Sequence, residues 1–363
     1  MSILITPEIS LNRVVIADLP GVKLPEGIRG HNAYQLVSVM ALAAMIRPQL
    51  EALQLDPNLN ENALIRAFDD CLVSTAETVR STAEKIAQDF GRRFGFILLA
   101  LQRGDAVNRQ ARPEWDVTNW EHWAGIRHVW LGGGLVSGNL GARMATYAQA
   151  VLHENEIVDY TVKVAPYTAS LPMAGAARYL PADAGRGLVF DFGGTSIKRG
   201  FVELAGGILT NIQRLESVQT PWSHLTSEDT DSVENAQALI DGMVAVIVDT
   251  YRNLTGKGGD IADTIPVSLA AYVQDGRPLA KQGGAYTRAN QVTDNLEREL
   301  GQHLSKTLGH DIGVKLLHDG SAAAAVYAGE RRTAVIMIGT ALGIGFPDAG
   351  GGLRQLAADF EVR

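Results

Sequence analysis

Cysteine is nearly missing: Cys71 is the only one in 363 residues. A single thiol excludes a disulfide framework and any multi-cysteine metal cluster, and it fits a reducing, cytoplasmic setting. A basic excess is missing too. There are 32 Lys and Arg against 40 Asp and Glu, a net charge of −8. No nucleic-acid partner is expected of such a surface. Long apolar runs are absent. The most apolar stretch, Leu36 to Ile46, spans 11 residues and closes on Arg47-Pro48. That is too short for a bilayer and reads as a buried helix, so no membrane association is expected. The opening MSILITPEISLNRVV lacks the charged-then-apolar plan of a signal peptide. No G-x-x-x-x-G-K-[ST] phosphate loop occurs.

What remains is a globular composition, 46 % hydrophobic and 20 % charged, with length for two or three domains. Glycine is in excess: 38 residues against a usual share of about 7 %. Many tight turns or close backbone approaches follow. Residues 1–30 alternate short apolar runs with Pro and Gly and read as strands or extended loops. Residues 32–55 read as helix broken at Pro48. One long helix is expected over 61–102, where Gly91 and Gly95 suggest a bend or a close helix contact. The polar stretch 103–124 carries Trp115, Trp120 and Trp123. Its indoles either pack back onto the domain or serve a dimer contact or lid.

From Ile126 onward strands alternate with helices, which makes the chain α/β. The strands are read at 126–131, in the run TVKVA and at 265–271. Two glycine-centred hairpins follow, at 187–204 and 333–346, and look alike. Helices are expected at 139–153, 171–180, 232–254 and 291–308.

Four constellations carry chemistry. The first is Asp191-Phe192-Gly193-Gly194-Thr195-Ser196-Ile197-Lys198. Glycines in a hairpin let backbone N–H groups approach a polyphosphate. Thr195 adds a hydroxyl, Lys198 a point charge, and Asp191 a carboxylate for Mg²⁺ or its water shell. The second is the turn Gly339-Thr340-Ala341-Leu342-Gly343, again suited to phosphate oxygens. The third is His318-Asp319-Gly320-Ser321 before four alanines. An Asp at the end of an apolar strand projects toward the edge where α/β proteins bind ligands, placed to take a proton from an attacking hydroxyl. The fourth is Gly132-Gly133-Gly134, where a flat ring can lie on bare backbone. Each has a plainer reading: a structural Asp in a Gly-rich hairpin, an Asp helix cap, a mere turn.

Together these motifs resemble the sugar kinase/actin/heat-shock chaperone superfamily, and within it the ROK family. The family's D-x-G-G-T-x-x-K is met by Asp191, Gly193, Gly194, Thr195 and Lys198. Its N-D-x-x-A-A-A segment is similar to His318-Asp319 through Glu330, and its G-T-G-x-G-x-G hairpin to Gly339 through Gly345. Its adenosine segments resemble Gly132 to Ser137 and Gly175-Ala176-Ala177. The order is rotated, since the adenosine segment precedes the first phosphate motif. The resemblance therefore implies a circularly permuted, two-lobed actin-like ATPase (ribonuclease H-like) fold. Residues 1–180 with 331–363 would form a nucleotide lobe, and 186–330 the lobe with the first hairpin and Asp319.

It implies an ATP- and Mg²⁺-dependent phosphotransferase acting on a hydroxyl of a small sugar-like substrate. Asp319 would be the base and Asp191 the Mg²⁺ residue. Gly193, Gly194, Thr195, Lys198, Gly339, Thr340 and Gly343 would hold phosphates, and Gly132–Gly134 would bed adenosine. His318, in place of the family's Asn, and Glu361, beyond the second hairpin, are the substrate-side candidates. With one cysteine, the family's C-x-C-G-x-x-G-C zinc is not expected. A homodimer is compatible with the Trp-rich stretch. Two other readings stand beside this one: a non-catalytic ligand sensor or assembly protein on the same fold, and an ATPase or acyl kinase.

Overall fold

Alternating apolar runs and glycine turns build strands, and the computed structural model, which describes residues 5–222, 232–255, 261–279 and 285–363, holds twelve among them. They are β1 (His128–Gly132), β2 (Thr161–Val164), β3 (Arg186–Phe192), β4 (Ser196–Ala205), β5 (Ile208–Gln219), β6 (Thr264–Leu269), β7 (Val273–Gln274), β8 (Arg277–Pro278), β9 (Gly313–His318), β10 (Thr333–Ile338), β11 (Leu342–Gly345) and β12 (Gln355–Val362). The architecture is mixed α/β with parallel pairing in both larger sheets.

The chain divides into two units. One takes Glu8–Ala169 and Glu330–Phe346; the other takes Ile5–Pro7, Ser170–Gly329 and Pro347–Arg363. The sequence places residues 170–180 and 347–363 with the first of these, and the structure groups them with the second. The reason is pairing. β12 adds in parallel to the edge of β5, and the helix Leu171–Ala177 packs on the helix Asp319–Ala325.

In the first unit the sheet order is β11-β10-β1-β2. β1 is parallel to both β10 and β2, and β11 returns antiparallel from β10. The expected helix over 61–102 is two helices, Glu61–Cys71 and Glu77–Arg103. Gly91 and Gly95 lie on the second, against the helix Asn139–Glu154. A Cβ on Gly95 would fall 2.9 Å from the Ala148 carbonyl oxygen and 2.7 Å from Val151 Cβ. These glycines thus serve close contact between the helices. Residues 5–30 hold short 3-10 turns and a single bridge, Val15 to Asn32, in place of strands; residues 1–4 lie outside the described residues.

Trp115, Trp120 and Trp123 are all buried. Trp115 donates its indole N–H to the Glu8 carbonyl at 2.9 Å, and Arg112 lies over its ring. The indoles therefore pack back onto their own unit. Ala33–Leu53 is long and apolar enough to cross a membrane by composition alone. It is split by the Ser38 cap and by Pro48, and it buries Leu36, Leu42, Ile46 and Leu53 in the core.

In the second unit the six-stranded order is β12-β5-β4-β3-β6-β9. β3, β6 and β9 run parallel, so their carboxyl ends open on one edge. Phe190, Phe192, Val267, Leu300 and Ile247 belong to the core beneath them.

Candidate functional site

The site in the second unit follows from strand register. Asp191 is the cross-strand partner of Lys198 on β4 and of Ser268 on β6. Neighbouring strands are about 4.8 Å apart, so side chains in register on one face touch. Lys198 Nζ sits 2.7 Å from Asp191 Oδ2, and Ser268 Oγ donates to Oδ1 at 3.0 Å. Asp191 is buried, and the ammonium and hydroxyl satisfy its two oxygens. The sequence assigned Lys198 to phosphate; here its ammonium pairs with Asp191.

Ser268 pairs in turn with Leu317 on β9. Asp319 stands two residues beyond Leu317, just past the end of β9, where the Asp191 and Lys198 charges act on it. Burial pushes the Asp319 carboxyl up to about 7, and the nearby Asp191 charge adds to the rise. The Gly320 N–H, which donates to Oδ1 at 2.7 Å, and the Lys198 charge oppose it. Asp319 keeps 28 % side-chain exposure against 5 % for Asp191, so it is the more open to solvent of the two. It is the first residue of its helix; the cap position belongs to His318.

His318 is buried, and its ring stacks on Tyr272 with centroids 4.6 Å apart and 12° between planes. Its Nδ1 accepts from the Ser321 N–H at 3.2 Å, and its Nε2 lies 3.1 Å from Asp319 Oδ1. Burial lowers its pKa to about 3, so the ring is neutral. Its nitrogens face the helix start and Asp319.

The loop after β3 is held from behind. The Gly193 N–H is spent inside the hairpin on the Ser196 and Asp191 carbonyls, both at 3.1 Å. The Gly193 carbonyl accepts from Tyr286 Oη at 2.7 Å and from Thr220 Oγ1 at 3.1 Å. The Thr220 N–H also donates to the Thr195 carbonyl at 3.1 Å. Gly194 and Thr195 are exposed, and a Cβ on Gly194 would meet nothing within 4 Å. Of the glycines assigned to phosphate in this motif, Gly194 is the one free to present backbone.

Glu361 is not brought to this group. It lies on β12 at the opposite sheet edge, five strand spacings from β9, roughly 24 Å. Its carboxylate pairs with Arg363 at 2.7 Å.

The first unit holds the other motifs. Gly133 has φ +97°, and a Cβ there would fall 2.4 Å from the Ile338 carbonyl oxygen. Its N–H donates to Thr168. Packing therefore demands that glycine, while Gly134 is exposed with nothing within 4 Å. Gly132 is buried at the end of β1. The turn of the second hairpin is clamped by Asn12, which donates to the Leu342 carbonyl at 2.8 Å and accepts its N–H at 2.9 Å. The Val39 N–H holds the Gly339 carbonyl at 3.0 Å. Thr340 and Ala341 stand exposed at the tip, and Gly343 pairs with Met337.

Sequence reasoning missed Ser268, Thr220, Tyr286, Tyr272 and Asn12. Ser268 had a signal, a lone hydroxyl inside the apolar strand IPVSLAA. The others reach their partners only through the fold.

No family model matches the chain, and no curated protein does. Among solved structures, a ROK family glucokinase from Streptomyces griseus, in complex with glucose and AMPPNP, is similar at 21 % identity and a TM-score of 0.28. The likeness covers 47 % of this chain and 46 % of that one, so the chain spans under half that protein's length.

Proposed function

We propose that the protein is a phosphotransferase that moves the γ-phosphoryl group of ATP to a hydroxyl of a small sugar-like acceptor. The observation that carries this is Asp319: a solvent-reached carboxyl with its pKa near neutrality, just past the carboxyl end of β9 and near the Asp191 and Lys198 charges of a glycine hairpin with outward backbone. A base works best when its pKa lies near the operating pH. Asp319 takes the proton of the acceptor hydroxyl as that oxygen attacks the γ-phosphorus. The bond to the bridging oxygen breaks, and ADP leaves with its electrons. The Gly194 and Thr195 backbone and the Thr195 hydroxyl meet phosphate oxygens. Gly339, Thr340 and Gly343 are assigned to phosphate as well, and Gly132–Gly134 to adenosine.

Mg²⁺ fits here as an ion that arrives with the nucleotide. Both Asp191 oxygens are already engaged, and no group of three or more His, Cys, Asp or Glu side chains suited to a metal exists among the described residues. Asp191 would hold the ion through its water shell, as Mg²⁺ commonly allows. When bound it would neutralise phosphate charge.

The test is ADP release measured across a panel of sugars and amino sugars. Acceptor-dependent release with a phosphorylated product is expected; nucleotide binding without product from any acceptor would support a sensor instead. Turnover should also depend on pH. The base must be deprotonated, so kcat/KM should climb through an acid limb centred near pH 7 and level off above it. A rate flat from pH 5 to 8 would remove Asp319 from the role.

A further inference from the structure

Two hydroxyls converge on one carbonyl in the second unit. Tyr286 Oη and Thr220 Oγ1 both donate to Gly193, at 2.7 and 3.1 Å. Tyr286 lies on the turn Ala285–Gln291, and Thr220 follows β5. Neither belongs to any motif of the hairpin. Both are buried, 1 % exposed each, and the Trp222 ring stands edge-on to Tyr286 at 5.9 Å. Burial pushes the Tyr286 hydroxyl pKa up, so it stays a protonated donor.

The consequence lies in the peptide plane. In a trans peptide the C=O of one residue and the N–H of the next point in opposite directions. Fixing the Gly193 carbonyl toward Tyr286 and Thr220 aims the Gly194 N–H the other way, out of the fold. No bond ties that N–H to an acceptor among the described residues. A glycine turn left to itself samples both orientations of this plane, since glycine tolerates either. Two donors on one oxygen select one of them.

We infer that Tyr286 and Thr220 are positioning residues that lock the Gly193–Gly194 peptide with its N–H outward, as a built-in donor for a phosphate oxygen. This deepens the phosphotransferase reading and rests on it for the identity of the nucleotide, although the anion contact is measurable without turnover.

Calorimetric titration with tripolyphosphate, AMPPNP and adenosine tests it on the full chain. Tyr286→Phe keeps the ring and removes the donor. It should weaken tripolyphosphate and AMPPNP about five- to tenfold, the worth of one neutral hydrogen bond, and leave adenosine unchanged. Thr220→Val should act in the same direction, Thr220→Ser should restore wild-type affinity, and the pair Thr220→Val with Tyr286→Phe should lose more than either. Equal weakening of adenosine, or no weakening of tripolyphosphate in any variant, overturns the inference, as does a wild-type chain that binds no tripolyphosphate. Should Tyr286→Phe fail to fold, the Thr220 pair decides alone. Tripolyphosphate binding that obeys these rules in a protein that phosphorylates no acceptor would sink the phosphotransferase reading and leave the inference standing.

Discussion

Asp319→Asn should abolish phosphoryl transfer, lowering kcat by about 10²- to 10⁴-fold, with ATP affinity close to wild type. Asn matches Asp in shape and still accepts from the Gly320 N–H, but it cannot take the acceptor's proton. The same substitution should stabilise the fold at alkaline pH. A carboxyl raised toward 7 binds its proton more tightly folded than unfolded, so stability falls as pH rises from about 4 to about 7. Above that range the wild type keeps an ionised group near the Asp191 charge. The Asn variant does not, so its Tm should exceed wild type at pH 8 and the gap should close toward pH 5. Thermal melts at several pH values together with the coupled rate assay check both halves. A variant that turns over at the wild-type rate, or a Tm difference that ignores pH, contradicts the assignment.

The second large effect is structural. Gly175 lies on the helix Leu171–Ala177, packed against the helix that Asp319 opens. A Cβ at Gly175 would fall 1.6 Å from the Ala322 carbonyl oxygen. That is a backbone atom and cannot swing aside, so the two helices must part. Gly175→Ala should cost about 3 kcal/mol, at the high end of overpacking. In a unit of this size the melting temperature should drop by roughly 6–12 °C. Gly125→Ala, where the added carbon meets nothing within 4 Å, is the control and should leave Tm nearly unchanged. Because the moved helix carries Asp319, whatever Gly175→Ala protein stays folded should also turn over more slowly. An unshifted melt would mean that the helices do not pack this closely.

The hairpin at Asp191–Lys198 was legible because period-two alternation around glycines is a local signal, and its register then set Lys198 opposite Asp191. The strand-to-helix position of Asp319 was legible for the same reason: an apolar strand, an acid, then alanines. What the sequence could not show was who else arrives. Tyr286 lies 93 positions from the carbonyl it holds, and Asn12 lies 330 from its hairpin. No local pattern encodes such pairings. Strand β5 was overlooked since its burial is irregular along its length, and β12 has mostly exposed and half-buried positions. The region before residue 30 misled because Pro and Gly interrupt apolar runs in 3-10 turns as readily as in strands. Glu361 was chosen by spacing along the chain, and the parallel pairing of β12 with β5 carried it to the other edge.

The split of the first unit between two distant stretches of chain bears on how it is made. β1 begins at His128 and its parallel neighbour β10 at Thr333. At about 5–20 residues per second, the ribosome delivers β10 roughly 10–40 s after β1. During that interval β1 has its pairing on the β2 side alone, and the segment 170–329 emerges whole. The order of emergence thus lets most of the second unit condense first, while the first unit waits, with an unpaired Val-Trp-Leu edge, for its central strand to be translated.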